Sequence, residues 1–477
     1  MQDNNQMTIN RDIKAIESNP FLDNTLNADE FVQNTNDGDL VTFDYENVAI
    51  TDIVNSIILD SIKKGASDIH FDPNDSGIDV RIRIDGSLID YTKVPLSVKK
   101  NMITRIKIIA GMNITESRVP QDGAIKSSLD ETALDLRVSS LPTNMGEKIV
   151  IRILDYSMSS AGLETLGFSE TNLTKVLKMI KEPNGIILVT GATGSGKSTT
   201  VYSILQRLNT VDKNIITVED PIEMNIPHVN QVQVISDIGL TFAATLRSIL
   251  RQDPDIIMIG EIRDDETAKI AVRASITGHL VLSTIHTNDA LSTIERLLDM
   301  DVARYLVGSA LSGIVSQKLA KKLCPHCRTS RPTNSYEKEV FKKALGIDVN
   351  EIYKPVGCDQ CHAGYTGRIA IHEVLLINQD VRDAITDGMP KDKLRELVYS
   401  SGTITLLQDG LTKVVSGETS FEEILRAIDI DDSLSNTKDG IVENNLNALD
   451  KNRKEIDKEV ANMVANDNYE VFDFLDS

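Results

Sequence analysis

Two hydrophobic periods alternate along this chain, and the points where one gives way to the other mark its organisation. Ile50, Ile53, Val54, Ile57, Ile58 and Ile62 recur at helical spacing, and Gly65 follows as a stop signal. The period then drops to two over Asp68–Asp72 and Ile78–Ile84, after which Asp85-Gly86 reads as a hairpin turn. Thr132–Ser139 and Lys148–Leu154 alternate in the same way, which predicts a small α+β domain over residues 49–156. From about Asn172 the pattern changes again. Short apolar runs at Ile186–Thr190, Ile215–Val218, Ile256–Ile259 and Leu280–Ser283 are separated by helical stretches, the signature of an α/β fold with a parallel sheet and crossover helices. Beyond His286 the pattern is mainly helical to about Ile428, interrupted by a cysteine-bearing segment within 318–368, so a second domain is expected over 157–428. Residues 1–48, rich in Asn, Asp and Gln, read as a flexible acidic lead, and 429–477 as an acidic tail. In that tail Leu446, Leu449, Ile456, Val460 and Met463 form one amphipathic candidate, either a docking helix or part of a solvated tail.

One strand-to-helix junction carries a recognisable chemistry. Between the run Ile186–Thr190 and a helical pattern over Thr199–Leu208 lie Gly191, Ala192, Thr193, Gly194, Ser195, Gly196, Lys197, Ser198 and Thr199, which fit GxxxxGK[ST]. Glycines let successive N–H groups turn toward a phosphate, and the helix N-terminus adds its positive dipole end. Lys197 would reach the outer phosphates and the Ser198 hydroxyl would hold Mg2+. A chance match in a chain this long is on the order of one or two in a hundred, and the flanking elements reduce that further, so nucleoside triphosphate binding is the first functional expectation.

Charge changes the picture only through its distribution. The formal charge of −21 contains −8 from residues 1–50 (ten acidic, two basic) and −8 from 429–477 (thirteen acidic, five basic), leaving about −5 for the folded part. No basic stripe suited to many phosphates stands out apart from Lys318, Lys321 and Lys322, which read as a solvated helix face. With no Trp and few aromatic residues for base stacking, direct nucleic-acid binding is not expected. There is no apolar run of membrane-span length and the first ten residues are polar, so a cytoplasmic protein without a signal peptide is expected.

Acids follow two further strands, in Glu219-Asp220-Pro221-Ile222-Glu223 and in Gly260-Glu261-Ile262-Arg263-Asp264. Acids at strand ends also cap helices, but in a sheet carrying a phosphate loop Glu219 and Glu261 are candidates for water activation and metal positioning. His279 and His286 bracket the run at 280–285, and His286 falls at a strand end where it could sense a γ-phosphate. All four cysteines are spent in two CxxC pairs, Cys324/Cys327 and Cys358/Cys361. In a reducing compartment this reads as a structural tetrathiolate Zn2+ site, with redox disulfides as the alternative. The thirty-residue spacer exceeds that of a compact zinc ribbon, so its stretch Tyr336–Leu345 should form a helix of its own.

Four ordered boxes then resemble a known family: Gly191–Thr199, Thr217–Glu223, Gly260–Asp264 and Thr277–Asn288 look like the Walker A, Asp box, Walker B and His box of the ATPases of type II secretion and type IV pilus assembly. The likeness extends through Ala66–Pro73, Arg118–Gly123 and Gly146–Arg152 and covers about residues 50–428. It implies a RecA-like P-loop core preceded by a PAS-like small domain, ATP with Mg2+, a homo-hexameric ring and an inner-membrane platform protein as partner. It also implies that arginines of the small domain reach the nucleotide phosphates. The matching positions are Arg137 and Arg152, which otherwise read as ordinary strand arginines. Assembly and secretion members usually carry the tetracysteine element, and retraction members lack it. This chain departs from the family in three places. The stretch before residue 50 is much shorter than the domain by which many members bind a membrane-bound adaptor, Lys318 stands where an arginine is more usual, and the acidic tail has no counterpart. The competing functional classes are a nucleic-acid motor gripping DNA with its zinc element, a DNA-uptake pseudopilus ATPase, and a non-motor scaffold ordered by nucleotide.

Overall fold

The computed structural model describes residues 40–129, 132–154 and 162–428. The acidic lead up to residue 39 and the tail with its amphipathic candidate lie outside the described residues. The chain divides into two units, Met1–Tyr156 and Ser157–Ser477.

In the first unit helix α1 (Ile50–Lys63) buries Ile53, Val54, Ile57 and Ile58, and Gly65, at φ +70°, follows its C-cap Lys64. Strands β1 (Ala66–Asn74), β2 (Gly77–Ile84) and β3 (Ser87–Pro95) form an antiparallel meander. Asp85 and Gly86 both have positive φ, as the two-residue turn between β2 and β3 requires. Helix α2 (Lys99–Ile109), which the sequence pattern left unassigned, packs beside α1. Strands β4 (Gln121–Leu129), β5 (Thr132–Thr143) and β6 (Gly146–Leu154) complete a six-stranded antiparallel sheet ordered β3-β2-β1-β6-β5-β4. Alternation decides its faces. Leu136, Val138, Ile149 and Ile151 are buried in one core with Phe71, Met102 and Ile106, so Arg137 and Arg152 fall on the opposite face.

The second unit opens with α3 (Glu170–Ile180) and β7 (Gly185–Thr190). Every residue of β7 is buried. Ile186 and Leu188 enter one hydrophobic cluster while Ile187 and Val189 enter another, which is why a continuous apolar run was needed. The chain continues through α4 (Lys197–Leu208), β8 (Ile215–Glu219), β9 (Asn230–Gln233), α5 (Phe242–Ile249), β10 (Ile256–Ile259), α6 (Asp265–Ile276), β11 (Leu280–Ile285), α7 (Ala290–Asp299) and α8 (Arg304–Ala310).

The stretch beyond His286 contributes helices and also two long strands, β12 (Leu311–Leu323) and β15 (Tyr365–Leu376). They complete a seven-stranded sheet ordered β15-β12-β7-β11-β10-β8-β9, parallel except for β15. Lys318, Lys321 and Lys322 therefore lie on a strand and not on a solvated helix face. Their spacing imitates a helix, but the backbone of Lys318 and Lys321 pairs with β15, and Lys318 Nζ donates to the Ala427 carbonyl at 2.8 Å. Between β12 and β15 the chain inserts β13 (Thr329–Pro332), α9 (Ser335–Leu345) and β14 (Glu351–Lys354). Asn334 and Glu337 form a capping box at the start of α9. Helices α10 (Gln379–Thr386), α11 (Lys391–Ser400), α12 (Leu406–Val415) and α13 (Phe421–Ala427) close the unit. Among the described residues no helix is long and apolar enough to cross a membrane.

Candidate nucleotide site and cysteine centre

The loop between β7 and α4 sits at the carboxyl edge of the parallel strands, where open α/β sheets bind ligands. Ala192, Thr193 and Gly194 form its exposed crest, Ser195 and Lys197 are buried, and Ser198 and Thr199 are half-buried at the start of α4. Glycine is required at both ends of the loop. Gly191 and Gly196 have φ of +149° and +85°, and a Cβ on Gly191 would stand 2.3 Å from the Gln317 carbonyl oxygen. Lys197 Nζ donates to the carbonyls of Gly191 at 2.9 Å and Ala192 at 3.0 Å, folding the side chain over its own loop. Burial pushes this ammonium below its ordinary pKa, while Glu261 and Glu223 oppose that shift. Glu223 is thus one of the two carboxylates acting on Lys197. Its place in the Asp-box segment was the signal available for it.

Neighbouring strand ends converge on this loop. Thr287 N donates to Thr190 Oγ1 at 3.0 Å, fixing the segment after β11 to the end of β7. That brings His286 beside the loop, and its Nε2 lies 3.3 Å from Glu261 Oε2. Arg263 holds the other oxygen of Glu261 at 2.5 Å and lies 4.0 Å from Asp220. The Arg263 guanidinium, against some burial and with help from His286, keeps the Glu261 carboxyl below the usual carboxylate range. A cleft of about 370 Å³ is lined by Gly191, Ala192, His286, Asn288, Glu295 and Arg296.

Glu219 is held inside the fold. This carboxylate is buried, taking hydrogen bonds from the Tyr202 hydroxyl, from Thr217 Oγ1 at 2.5 Å and from Gln231 Nε2 at 3.0 Å. These bonds brace α4 and β9 to the end of β8. His279 is also set apart. It stands at the amino end of β11, where its Nδ1–H donates to the Ala274 carbonyl at 2.8 Å and closes α6. The six-residue strand puts about 20 Å between it and His286.

In the first unit Arg137 and Arg152 are direct cross-strand partners. Arg152 also faces Asp68, which in turn is joined to Arg83. Arg152 Nε donates to Asp68 Oδ1 at 3.0 Å, with most of the side chain exposed. Two guanidiniums side by side repel one another, and the Asp68 carboxylate offsets part of that charge.

The chain matches the family of type II/IV secretion system proteins over residues 44–426. It belongs to that family. Type II/IV secretion system proteins similar to it include type II secretion system protein E of Aeromonas hydrophila, 44% identical over 80% of this chain and 76% of the relative. The type IV pilus assembly ATPase PilB of Thermus thermophilus is 44% identical over 78% of this chain and 42% of its own length. The fold resembles the ATPase DotB of Legionella pneumophila, with a TM-score of 0.62 at 22% identity over 81% of this chain and 98% of that one. It also resembles the pilus retraction motor PilT solved with bound ADP, with a TM-score of 0.54 at 28% identity, covering 78% and 96% of the two chains. As a member of this family the chain is an ATP hydrolase.

This type II/IV secretion system protein also gathers its four cysteine sulfurs within 4.8 Å of one another. Neighbouring Sγ atoms are 3.7–3.9 Å apart, too far for disulfides. A tetrahedral zinc with bonds of about 2.3 Å requires edges of about 3.8 Å, so the donor set fits the ion. The backbone N–H groups of Gly357 and Cys358 donate to Cys327 and Cys361 Sγ at 3.3 Å, as thiolates would want. Burial raises the Cys324 thiol, but N–H groups of His326 and Cys327 bring it net below its ordinary value, whereas against an N–H bond from Gln360 burial and the neighbouring thiols push Cys358 up to about 12.

Proposed function

We propose that this protein is a cytoplasmic, ring-forming Mg-ATPase at the inner face of the membrane. In this reading it drives assembly of pilin-like subunits for a type IV pilus or a type II secretion pseudopilus. The observation that carries the nucleotide site is the convergence of Lys197, Glu261 and His286 at the carboxyl edge of one sheet. Phosphate oxygens replace the Gly191 and Ala192 carbonyls as acceptors for Lys197, and the loop N–H groups of residues 191–199 hold the triphosphate. Ser198 would hold Mg2+, which when bound neutralises phosphate charge. Glu261, kept ionised by Arg263, orients and polarises the attacking water, with Glu223 acting beside it on Lys197 and Glu219 as an internal brace. His286 shares a hydrogen bond with Glu261 and reports the occupancy of the outer phosphate position. The family resemblance implies that Arg137 and Arg152 serve the nucleotide phosphates, a role to which guanidiniums are suited. The cysteines would hold a structural Zn2+, since four thiolates leave no open position for catalysis.

The tetracysteine element favours assembly over retraction, as the family resemblance implies. The partners in this reading are five further copies of the chain and a polytopic platform protein of the inner membrane. The deciding experiment compares wild type with Glu261→Gln. The variant should bind ATP with unchanged affinity and lose about 10²- to 10⁴-fold in turnover. Turnover at the wild-type rate would refute the role of Glu261, and a purified protein that stays monomeric with ATP would refute the ring.

A further inference from the structure

The strand β12 touches the phosphate loop at one residue whose side chain is fully committed to it. Ser316 pairs with Thr190, the last residue of β7, so Gln317 stands level with the start of the loop. Gln317 is buried, and both ends of its amide are used within the loop and its helix. Its Nε2 donates to the Ser195 carbonyl at 2.7 Å, and its Oε1 accepts from Thr200 Oγ1 at 2.7 Å. A carbonyl can only accept, so the Ser195 contact fixes which way the amide points. Gln317 also crowds both framing glycines, whose positive φ already favours glycine. A Cβ on Gly191 would meet the Gln317 backbone oxygen, and one on Gly196 would lie 2.7 Å from Gln317 Nε2.

We infer that Gln317 is a positioning residue that presets the phosphate loop for nucleotide. The argument follows from peptide planarity. Within one trans peptide unit the C=O and N–H point in opposite directions, so holding the Ser195 carbonyl against β12 directs the Gly196 N–H to the other side. A loop with three glycines in six residues has much conformational freedom to lose on binding. Fixing a peptide plane in advance removes part of that loss from the binding step. The second bond, to Thr200, ties the same amide to the first turn of α4 just beyond Lys197 and Ser198. Gln317 thus keeps the loop and the helix N-terminus in register. The same strand continues to Leu323 and the cysteine centre, so loop and cysteine element share one rigid support.

This inference rests on the reading of residues 191–199 as the nucleotide site, and the experiment separates the two. Gln317→Met keeps the side-chain length but removes both polar atoms. It should weaken equilibrium binding of a fluorescent ATP analogue and raise the KM for ATP about tenfold, the loss expected when a buried carbonyl is left without its donor. Because the reacting groups are untouched, kcat should change less than twofold. Hydrogen exchange of the loop amides without nucleotide should accelerate in the same variant. Thr200→Val is the second variant and decides the matter should Gln317→Met fail to fold; its affinity should fall about threefold with kcat again preserved. Unchanged KM and unchanged loop exchange in a folded variant would overturn the inference. Lys197→Ala is the control. Nucleotide affinity unchanged in that variant would overturn the assignment of the site and the inference with it, whereas affinity lost there and retained in Gln317→Met overturns the inference alone.

Discussion

Glu373 offers a prediction whose size follows from its surroundings. It lies fully buried on β15, where its Oε1 accepts from the Ala290 N–H at the start of α7 at 3.1 Å and the Tyr399 hydroxyl lies 3.3 Å from its Oε2. Burial, with the Asp289 carboxylate nearby, pushes its carboxyl from 4.5 up to about 7. Lys175 and Lys318 face it at longer range, both lowered by their own burial. Above pH 7 the group is ionised whether the chain is folded or not, and the folded state is then disfavoured by about 3 kcal/mol, at about 1.4 kcal/mol per pH unit. Between 4.5 and about 7 the folded chain keeps a proton that the unfolded chain has released. Stability from this group therefore falls as pH rises through that window and levels off above it. Glu373→Gln keeps the shape and an acceptor for Ala290 while removing the ionisation. It should match wild type near pH 4.5 and be about 3 kcal/mol more stable at pH 8. In melting temperature that is roughly 6–12 °C for a unit of this size. The protein has no Trp, so urea unfolding followed by circular dichroism at the two pH values is the suitable assay. An equal difference between variant and wild type at both pH values would refute the assignment of the titration to Glu373.

Two further predictions concern the Lys413–Asp409 pair and the cysteine centre. Lys413 is buried, donating to Asp409 at 2.5 Å and to the Ala370 carbonyl at 2.7 Å, so Lys413→Met should cost about 3–5 kcal/mol by leaving Asp409 unpaired. The double variant Asp409→Asn/Lys413→Met should recover most of that loss, and urea midpoints that simply add would count against the pairing. Protein prepared under reducing conditions should carry one zinc per chain by elemental analysis, and chelation should lower the melting temperature and expose four thiols to a thiol reagent. Metal-free protein with an unchanged melting temperature would rule out a structural ion.

The parallel strands were legible because both faces of the sheet are covered, so β7, β8, β10 and β11 are written as unbroken apolar runs. The cysteine centre was legible from spacing alone, and so was the position of α9. Strand β12 was harder to read. Its second half carries Gln317, Lys318, Lys321 and Lys322 because it faces a loop backbone, a helix end and the ring of Tyr365. These polar residues hide the period of two. Helix α2 was missed although Met102, Ile103, Ile106 and Ile109 have helical spacing. Basic residues punctuate the run, and one of them, Lys107, is itself buried against Glu147 and the Glu116 carbonyl. Arg137 and Arg152 were separable from ordinary strand arginines only through the family likeness, since alternation says which face they occupy and nothing about what that face meets.

The least legible point is also the most consequential for mechanism, because Glu219 and Glu261 follow neighbouring strands of one sheet and look equivalent in sequence. Their surroundings separate them. Glu219 holds three neutral donors in the interior, and freeing it for a water or metal would forfeit several hydrogen bonds at about 1 kcal/mol each and leave buried donors unsatisfied at about 1–3 kcal/mol more. Glu261 is held by the largely exposed Arg263 and by His286, and an ion pair with so exposed a partner is worth at most about 1 kcal/mol. The acid whose partners are cheaper to exchange is the one able to respond to charge building on a phosphate. Under the proposed function that acid is Glu261, with Glu219 holding α4 and β8 in place.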